Sequence, residues 1–473
     1  MAFASSCNHR PDLTRIGAVL VALGLGSSIP LTGSPLPLLI LGLLSAVSAV
    51  AIYLWGAEAP LLAAIVIVPL IPNSAEGFAA DALGGHAGDI RAALLIFLLG
   101  AFLACFPRGL PRLPRTLFGV AGSLVALAGM GLFAAVINGG GGAEILGEAA
   151  HGVGQPLIYV LLIVAVGAAL QSREGARERI LAAACVAILG QAAVILAEFG
   201  TGAAYDPIRQ ITRAQGTVGA NFLSAMAMLG FFAGLSLRSG AILPRFRHLG
   251  LSAAVVSLAI LAVATTRGGL VGVFIGVAYL FFTGLDARAR VAAVAALVAV
   301  IMAMAVIPQV SSLWSQRLGV RGGLADFDRA ATWISGVRMG LDDPLSGLGI
   351  AGIEEGVLEV PRYRQTPAGP TSVVPHNIWI LALAEGGVAA LLSSLAFSFF
   401  FCLAIWRRPR RRSLPDRFLV GGLLGLIAVS LINNLFTHPE VMLPGLVFLT
   451  VLCAPAVASK ERYDFAATGG PKP

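Results

Sequence analysis

Charge is scarce in this chain. Only 12% of its 473 residues are charged, whereas 57% are hydrophobic, and the mean hydropathy is +0.88. That balance excludes an ordinary soluble domain. Cysteine is scarce too: Cys7, Cys105, Cys185, Cys402 and Cys453 lie in the N-terminal tail or inside apolar runs. The placement excludes a disulfide framework, and no CxxC metal pair is present. Also absent are a GKS/T phosphate loop, an HExxH zinc helix and a GxSxG elbow, so nucleotide hydrolysis and ordinary hydrolase chemistry lose support. The first apolar run follows Arg10 and Arg15, but "GSSIPLTGSP" offers no small-x-small cleavage site. It reads as a retained helix.

Long apolar runs fill the space. They lie near residues 16–31, 36–55, 60–72, 90–106, 116–137, 156–171, 180–199, 218–237, 249–264, 270–284, 291–307, 377–405, 418–436 and 441–457. Each approaches or reaches the ~20 residues a helix needs to cross a bilayer. Several are short, so 12 to 14 spans are expected, in an all-α polytopic bundle. The organisation is then transmembrane helices over 1–307, a large loop over 308–376, C-terminal transmembrane helices over 377–458 and a polar cytoplasmic tail over 459–473. Within the loop, "DFDRAATWISGVRMGL" has helical spacing, with Phe327, Ala331, Ile334 and Val337 on one face. The sequence "DDPLSGLG" then supplies the stop.

Arginine sets the orientation. With both termini cytoplasmic, most of the 32 basic residues fall in inner segments, as positive-inside topology requires. The large loop is then periplasmic. Basic residues scattered over short loops give no nucleic-acid surface. On the outer side only Arg91 occurs before residue 200, but Arg209, Arg213, Arg267, Arg317, Arg321, Arg329, Arg338, Arg362 and Arg364 follow. This local reversal of the rule calls for a compensating anion.

Two of these arginines are held by short connections: Arg213 in "TRAQGTVGANFLSAM", where an outer loop enters a span, and Arg267 in the outer turn "TTRGG". A guanidinium there serves either as an anchor to lipid phosphate or as part of a phosphate site. His376 and Asn377 open the run "PHNIWILALAEGG". At the first turn of a helix the exposed amides disfavour an imidazolium, which leaves a neutral ring able to accept a proton. A capping histidine is the plainer alternative. Asn377 either orients His376 or caps the helix. Glu385 is expected about 13 Å deeper along a straight helix, in a structural hydrogen bond. Arg329 and Trp333 share a helix face and either stack as a packing pair or present a polar edge to a substrate. The loop acids Asp326, Asp328, Asp342, Asp343, Glu354 and Glu355 match no metal spacing.

Taken in order, "RAQGTVGANFL", "TTRGG", "FDRAATW", "DPLSGLG" and "PHNIWILALAEGG" resemble the O-antigen ligase and O-antigen polymerase family. These are enzymes of the bacterial inner membrane that act on polyprenyl-diphosphate-linked glycans on the periplasmic side. The resemblance runs from about Arg213 to Leu391; Ala390 stands where the family often has glycine. It implies that Arg213 and Arg267 hold the lipid diphosphate and that His376 activates the acceptor, with Arg329, Trp333, Asn377 and Glu385 in supporting roles. It further implies metal-independent, inverting glycosyl transfer without a cofactor, from a polyprenyl-diphosphate-linked glycan to a hydroxyl on a glycolipid or glycan acceptor. Ligation to lipid A-core is the leading reading. Polymerisation and protein O-glycosylation stand beside it within the family. The rival from another class is a transporter or flippase of an anionic lipid-linked substrate, which calls for charged residues midway through several helices.

Overall fold

A computed structural model describes residues 58–71, 111–138, 142–202, 205–206, 211–212, 214–283, 322–349, 360–363, 375–407 and 413–454, apart from 432, 434 and 437, with isolated residues elsewhere. The elements in chain order are α1 (Ala59–Ile67), α2 (Arg115–Asn138), α3 (Gly142–Ser172), α4 (Ala176–Thr201), α5 (Ala220–Gly240), α6 (Pro244–Ala264), α7 (Arg267–Thr283), α8 (Gly322–Asp342), α9 (Ile378–Trp406), α10 (Leu414–Ser430) and α11 (Pro439–Cys453). The one extended feature among them is an antiparallel ribbon, β1 (Tyr205–Asp206) with β2 (Ile211–Thr212). The all-helical expectation otherwise holds. Among the described residues six helices are long and apolar enough to cross a membrane, and α1, α7 and α11 are shorter apolar helices. The runs expected over 16–31 and 36–55 lie outside the described residues, and those over 90–106 and 291–307 are described only in pieces.

One end of the bundle is basic. There Arg179 grips the buried Glu58 with Nε and Nη2 at 2.7 and 3.1 Å, Arg177 pairs with Asp416, and Arg247 Nε donates to Ala241 O at 2.7 Å. At the far end lie Asn138, Arg267 and the turn after α10.

Glycine sets the closest helix contacts. Gly272 and Gly276 of α7 face Gly425 and Gly421 of α10, so that a Cβ on Gly276 would stand 2.6 Å from Gly421 O and one on Gly425 would stand 2.6 Å from Gly272 O. These are two G-x-x-x-G stripes packed antiparallel, backbone against backbone. The start of α7 is thereby fixed beside the end of α10.

α9 is not one rod. Gly386 (φ −133°, ψ 15°) and Gly387 (φ 69°, ψ −162°) break it, and the indole Nε1 of Trp379 donates to Ser398 Oγ at 3.0 Å. In a straight helix those residues would be nearly 30 Å apart at about 1.5 Å per residue, so the two limbs fold back on one another. Glu385 therefore lies near the tip of a hairpin, farther from the basic end than His376. The expected 13 Å descent of Glu385 into a straight span is corrected, and the reason is the Gly-Gly pair next to it.

The segment after α8 closes the break. Leu348 N and Gly349 N donate to Ala384 O and Glu385 O at 2.8 and 3.1 Å, and Val388 N donates to Pro344 O at 2.9 Å. Backbone groups freed by the break thus find partners, as an apolar setting demands. Asn138, at the end of α2, ties the same turn by donating to Gly347 O at 3.2 Å. A separate small core of Met339, Ile353, Tyr363, Leu381 and Ala384 unites α8 with the short limb of α9. Tyr363 donates to Asp342 at 2.8 Å; burial, then this hydrogen bond, push its phenol above the usual range. The buried face of α8 is Thr332, Ser335, Gly336 and Met339, with Ile334 exposed. The expected apolar face through Ile334 is therefore rotated, because small and hydroxyl residues are what fit against Pro375 and Ile380.

Gly387 has positive φ and no room, since a Cβ there would stand 2.5 Å from Pro344 O. Gly387→Ala is expected to destabilise the protein by at least ~1–2 kcal/mol, read as a lower unfolding temperature in detergent. Gly122→Ala on α2, where a Cβ meets nothing within 4 Å, should leave that temperature unchanged or slightly raised.

Candidate functional site

The turn joining α10 to α11, "LINNLFTHPE", organises the end of the bundle opposite the basic one. Its backbone is locally closed: Asn433 N donates to Val429 O, Leu435 N to Asn433 O and His438 N to Leu435 O, at 3.0, 3.0 and 3.2 Å. Phe436 O accepts from Tyr159 Oη at 2.7 Å and from Gln155 Nε2 at 2.9 Å, both on α3. A fixed turn results, and three neighbouring helix starts lean on it.

The first is α9. Asn377 is 7% exposed, and its Oδ1 accepts from Trp379 N and Ile380 N at 2.9 and 3.2 Å. It is the helix N-cap. Its Nδ2 donates to Leu431 O at 3.4 Å, which ties the cap, and His376 immediately before it, to the turn. His376 itself is half-buried behind the buried Pro375. Of the two roles expected for Asn377, capping is the one seen.

The second is α7. Arg267 is exposed and is the first residue of the helix, one step more ordered than the turn position expected. Gly268 behind it leaves just enough space for Asn433, whose Nδ2 would lie 3.3 Å from an added Cβ. The reversal from α6 depends on Thr265, a β-branched residue held at φ 50°. Such a conformation is strained, and strain of this kind gathers at working sites. The Oγ1 atoms of Thr265 and Thr266 are buried and have no hydrogen-bond partner.

The third is α5. Phe222 in its first turn stacks on His438, with ring centroids 3.4 Å apart and planes 24° apart. The segment leading into α5 is pinned: Ala214 N donates to Val263 O at 3.1 Å, Gln215 N and Gly216 N to Glu198 Oε2 at 3.1 and 3.0 Å, and Thr217 N to Gln191 Oε1 at 3.1 Å. Arg213 lies outside the described residues.

With α11, which starts in the turn itself, four helix N-termini gather here. Gly219, the N-cap of α5, has no side chain to cap with, and the side chain of His438 does not cap α11. Helix starts turned toward this end carry partial positive charge, and with Arg267 they make it attractive to an anion. Beneath His376 opens an apolar cavity of about 160 Å³, lined by Ile378, Trp379, Phe397, Phe401, Leu426 and Phe436 among others.

Arg267, His376 and Asn377 are thus joined through one turn. Glu385 stands apart, at the hairpin tip. On α8, Trp333 is half-buried with its Nε1 lacking a partner; the side chain of Arg329 lies outside the described residues. Sequence reasoning missed the turn and its pair, His438 Nδ1 to Glu440 Oε1 at 3.1 Å. A signal existed in "THPE", a proline-started helix with an acid in its first turn.

Residues 252–395 match the family model described as O-antigen ligase, so that segment of the chain is similar to this family. The match takes in Arg267, Arg329, Trp333, His376, Asn377 and Glu385, whereas Arg213 and the turn after α10 lie outside it. No curated protein matches the chain.

Asn377→Ala is expected to lower stability by about 1 kcal/mol through loss of the cap. Asn377→Asp keeps the accepting oxygen for the cap but sets a carboxylate oxygen against Leu431 O, so it should recover only part of the loss, as read from unfolding temperatures in detergent.

Proposed function

We propose that the chain transfers a glycan from a polyprenyl diphosphate to a hydroxyl of an acceptor, on the periplasmic face of the bacterial inner membrane, with ligation to lipid A-core as its reaction. The observation that carries this reading is the convergence of Arg267, the cap bearing His376 and four helix N-termini on a single turn above an apolar cavity. A diphosphate needs fixed positive charge, its prenyl chain an apolar slot below, and the acceptor a base alongside.

In the proposed step the acceptor oxygen attacks the anomeric carbon opposite the diphosphate, and the carbon–oxygen bond to phosphorus breaks. The electron pair leaves with the polyprenyl diphosphate, the hydroxyl proton passes to the His376 imidazole, and the anomeric centre inverts. Charge builds on the departing diphosphate. Arg267, with Arg213, meets it in place of a divalent cation; each charge-assisted hydrogen bond contributes roughly 1.5–3 kcal/mol. Because Arg267 stands on a helix start, little reorganisation of its backbone would accompany the reaction. A positioned base adds a factor of ~10²–10⁴.

His376→Ala is expected to reduce transfer by ~10²-fold or more while protein abundance stays near normal. Arg267→Lys should retain more activity than Arg267→Ala, since charge survives but the planar fork does not. The check is lipopolysaccharide staining of a deletion strain complemented with each variant. Long chains left unattached on the carrier fit ligation, core bearing a single repeat unit points to polymerisation, and wild-type ladders from His376→Ala remove the base from the scheme.

A further inference from the structure

Glu198 stands half-buried in the last turn of α4, a turn without a basic residue. Two effects oppose a carboxylate there. The C-terminal end of a helix carries partial negative charge, and the proposed diphosphate belongs to the same end of the bundle. Hydrogen bonds offset that placement. Glu198 Oε2 accepts from Gln215 N and Gly216 N at 3.1 and 3.0 Å, and bonds from main-chain amides to a charged acceptor are the stronger kind.

The segment so held is braced on two further sides. Thr217 N donates to Oε1 of the fully buried Gln191 at 3.1 Å, and Thr217 Oγ1 to Pro69 O at 2.7 Å. Gly216 has φ 57°, and a Cβ there would stand 2.5 Å from Gln191 Oε1. Ala214 N donates to Val263 O at 3.1 Å. Val263 lies in the last turn of α6, where carbonyls have no partner within the helix. Ala214 thus closes α6 just before Thr265 turns with φ 50° and the chain passes through Thr266 into Arg267. Glu198 reaches that turn in two steps, carboxylate to amides and amide to carbonyl. Arg213 directly precedes Ala214 in the chain, so the clamp begins one residue after it.

We propose that Glu198 is a positioning residue for the lipid diphosphate site: its carboxylate holds residues 214–217 against the end of α6 and thereby sets the turn that presents Arg267. The inference rests on the glycosyl-transfer reading above and adds a residue outside the matched segment. Glu198 touches neither the substrate nor the reacting atoms. Its reach, and not its charge, is what the site uses.

The test uses the full chain in lipid nanodiscs, with undecaprenyl diphosphate as the probe and undecaprenol as the uncharged control. Glu198→Ala, which frees both amides, should weaken diphosphate binding roughly tenfold and leave undecaprenol binding as in the wild type. Glu198→Gln keeps an accepting oxygen at the same reach and should stay within about threefold of the wild type. Glu198→Asp keeps the charge but is one methylene shorter, and should be weakened as Glu198→Ala is. In an Arg267→Ala background the loss caused by Glu198→Ala should shrink to about twofold or less, because Glu198 acts through that guanidinium. Wild-type binding by Glu198→Ala, a Gln variant as weak as the Ala variant, or a loss undiminished in the Arg267→Ala background overturns the inference. Should Glu198→Ala not accumulate, Glu198→Asp takes its place: binding weaker than that of Glu198→Gln supports the inference, and equal binding overturns it. A wild-type protein that ignores undecaprenyl diphosphate, or binds it indifferently to Arg267, sinks the glycosyl-transfer reading as well. Binding that depends on Arg267 but not on Glu198 sinks this inference alone.

Discussion

The contact between α7 and α10 through Gly272, Gly276, Gly421 and Gly425 fixes the rest of the site. Apolar side chains give helices no preference for each other over lipid, so a close seam of backbone on backbone is what holds a register there. This seam brings the first residue of α7 level with the turn that leaves α10. Arg267 thereby acquires a position, and a guanidinium on a rigid helix start is a better anion partner than one on a swinging loop. The same seam leaves Asn433 against Gly268 and Leu431 O open to Asn377.

The second constraint is a broken backbone. A helix interrupted at Gly386 and Gly387 has peptide groups without partners, and in an apolar setting each such group costs free energy comparable to a lost hydrogen bond. The stretch from Pro344 to Gly349 supplies those partners with its own main chain. The described part of the loop expected from the sequence, α8 with the segment after it, and the histidine-bearing limb for that reason share a small core. Folding back also explains Trp379 on Ser398 and puts the capped, histidine-led start of α9 beside the turn. A straight α9 would have aimed Glu385 along the bundle; the hairpin takes it to the tip.

Much of this was legible in the residues, and what was not has a physical cause. Apolar runs gave most of the described helices from α2 to α7 and from α9 to α11 closely, because length and hydropathy alone demand helices there, but α3 begins at Gly142, well before its run, and α10 ends at Ser430, where the turn begins. "DDPLSGLG" announced the end of α8, but not that its amides would close a break forty residues later in the chain. "EGG" showed two glycines in an apolar run; left-handed φ at Gly387 is a tertiary demand made by Pro344 O, invisible to local spacing. The face of α8 was misjudged through Ile334 for a related reason: the partner surface at Pro375 and Ile380 selects glycine and serine over bulk. Arg267, His376 and Asn377 could be picked out one by one as polar residues at apolar run ends. What no single stretch revealed was the turn connecting them.

That turn bears on the proposed chemistry through distance. Displacement at an anomeric carbon needs the base and the charge-bearing donors on opposite sides of one sugar, held to within a fraction of an ångström, and misplacement of about 1 Å can cost on the order of 10²-fold in rate. Separate flexible loops would hold such a span poorly. Here Leu431 fixes the cap that follows His376, Asn433 abuts the helix that Arg267 begins, and Phe436 is fastened to α3 by Tyr159 and Gln155. His376 and Arg267 are both referred to one short piece of main chain, in which Asn433 N, Leu435 N and His438 N have partners. Electrostatics works in the same direction, since helices that start at this end turn their amides toward it whether or not a ligand is present. A field set in advance by backbone needs no rearrangement when charge develops, and the proposed diphosphate site would draw on that.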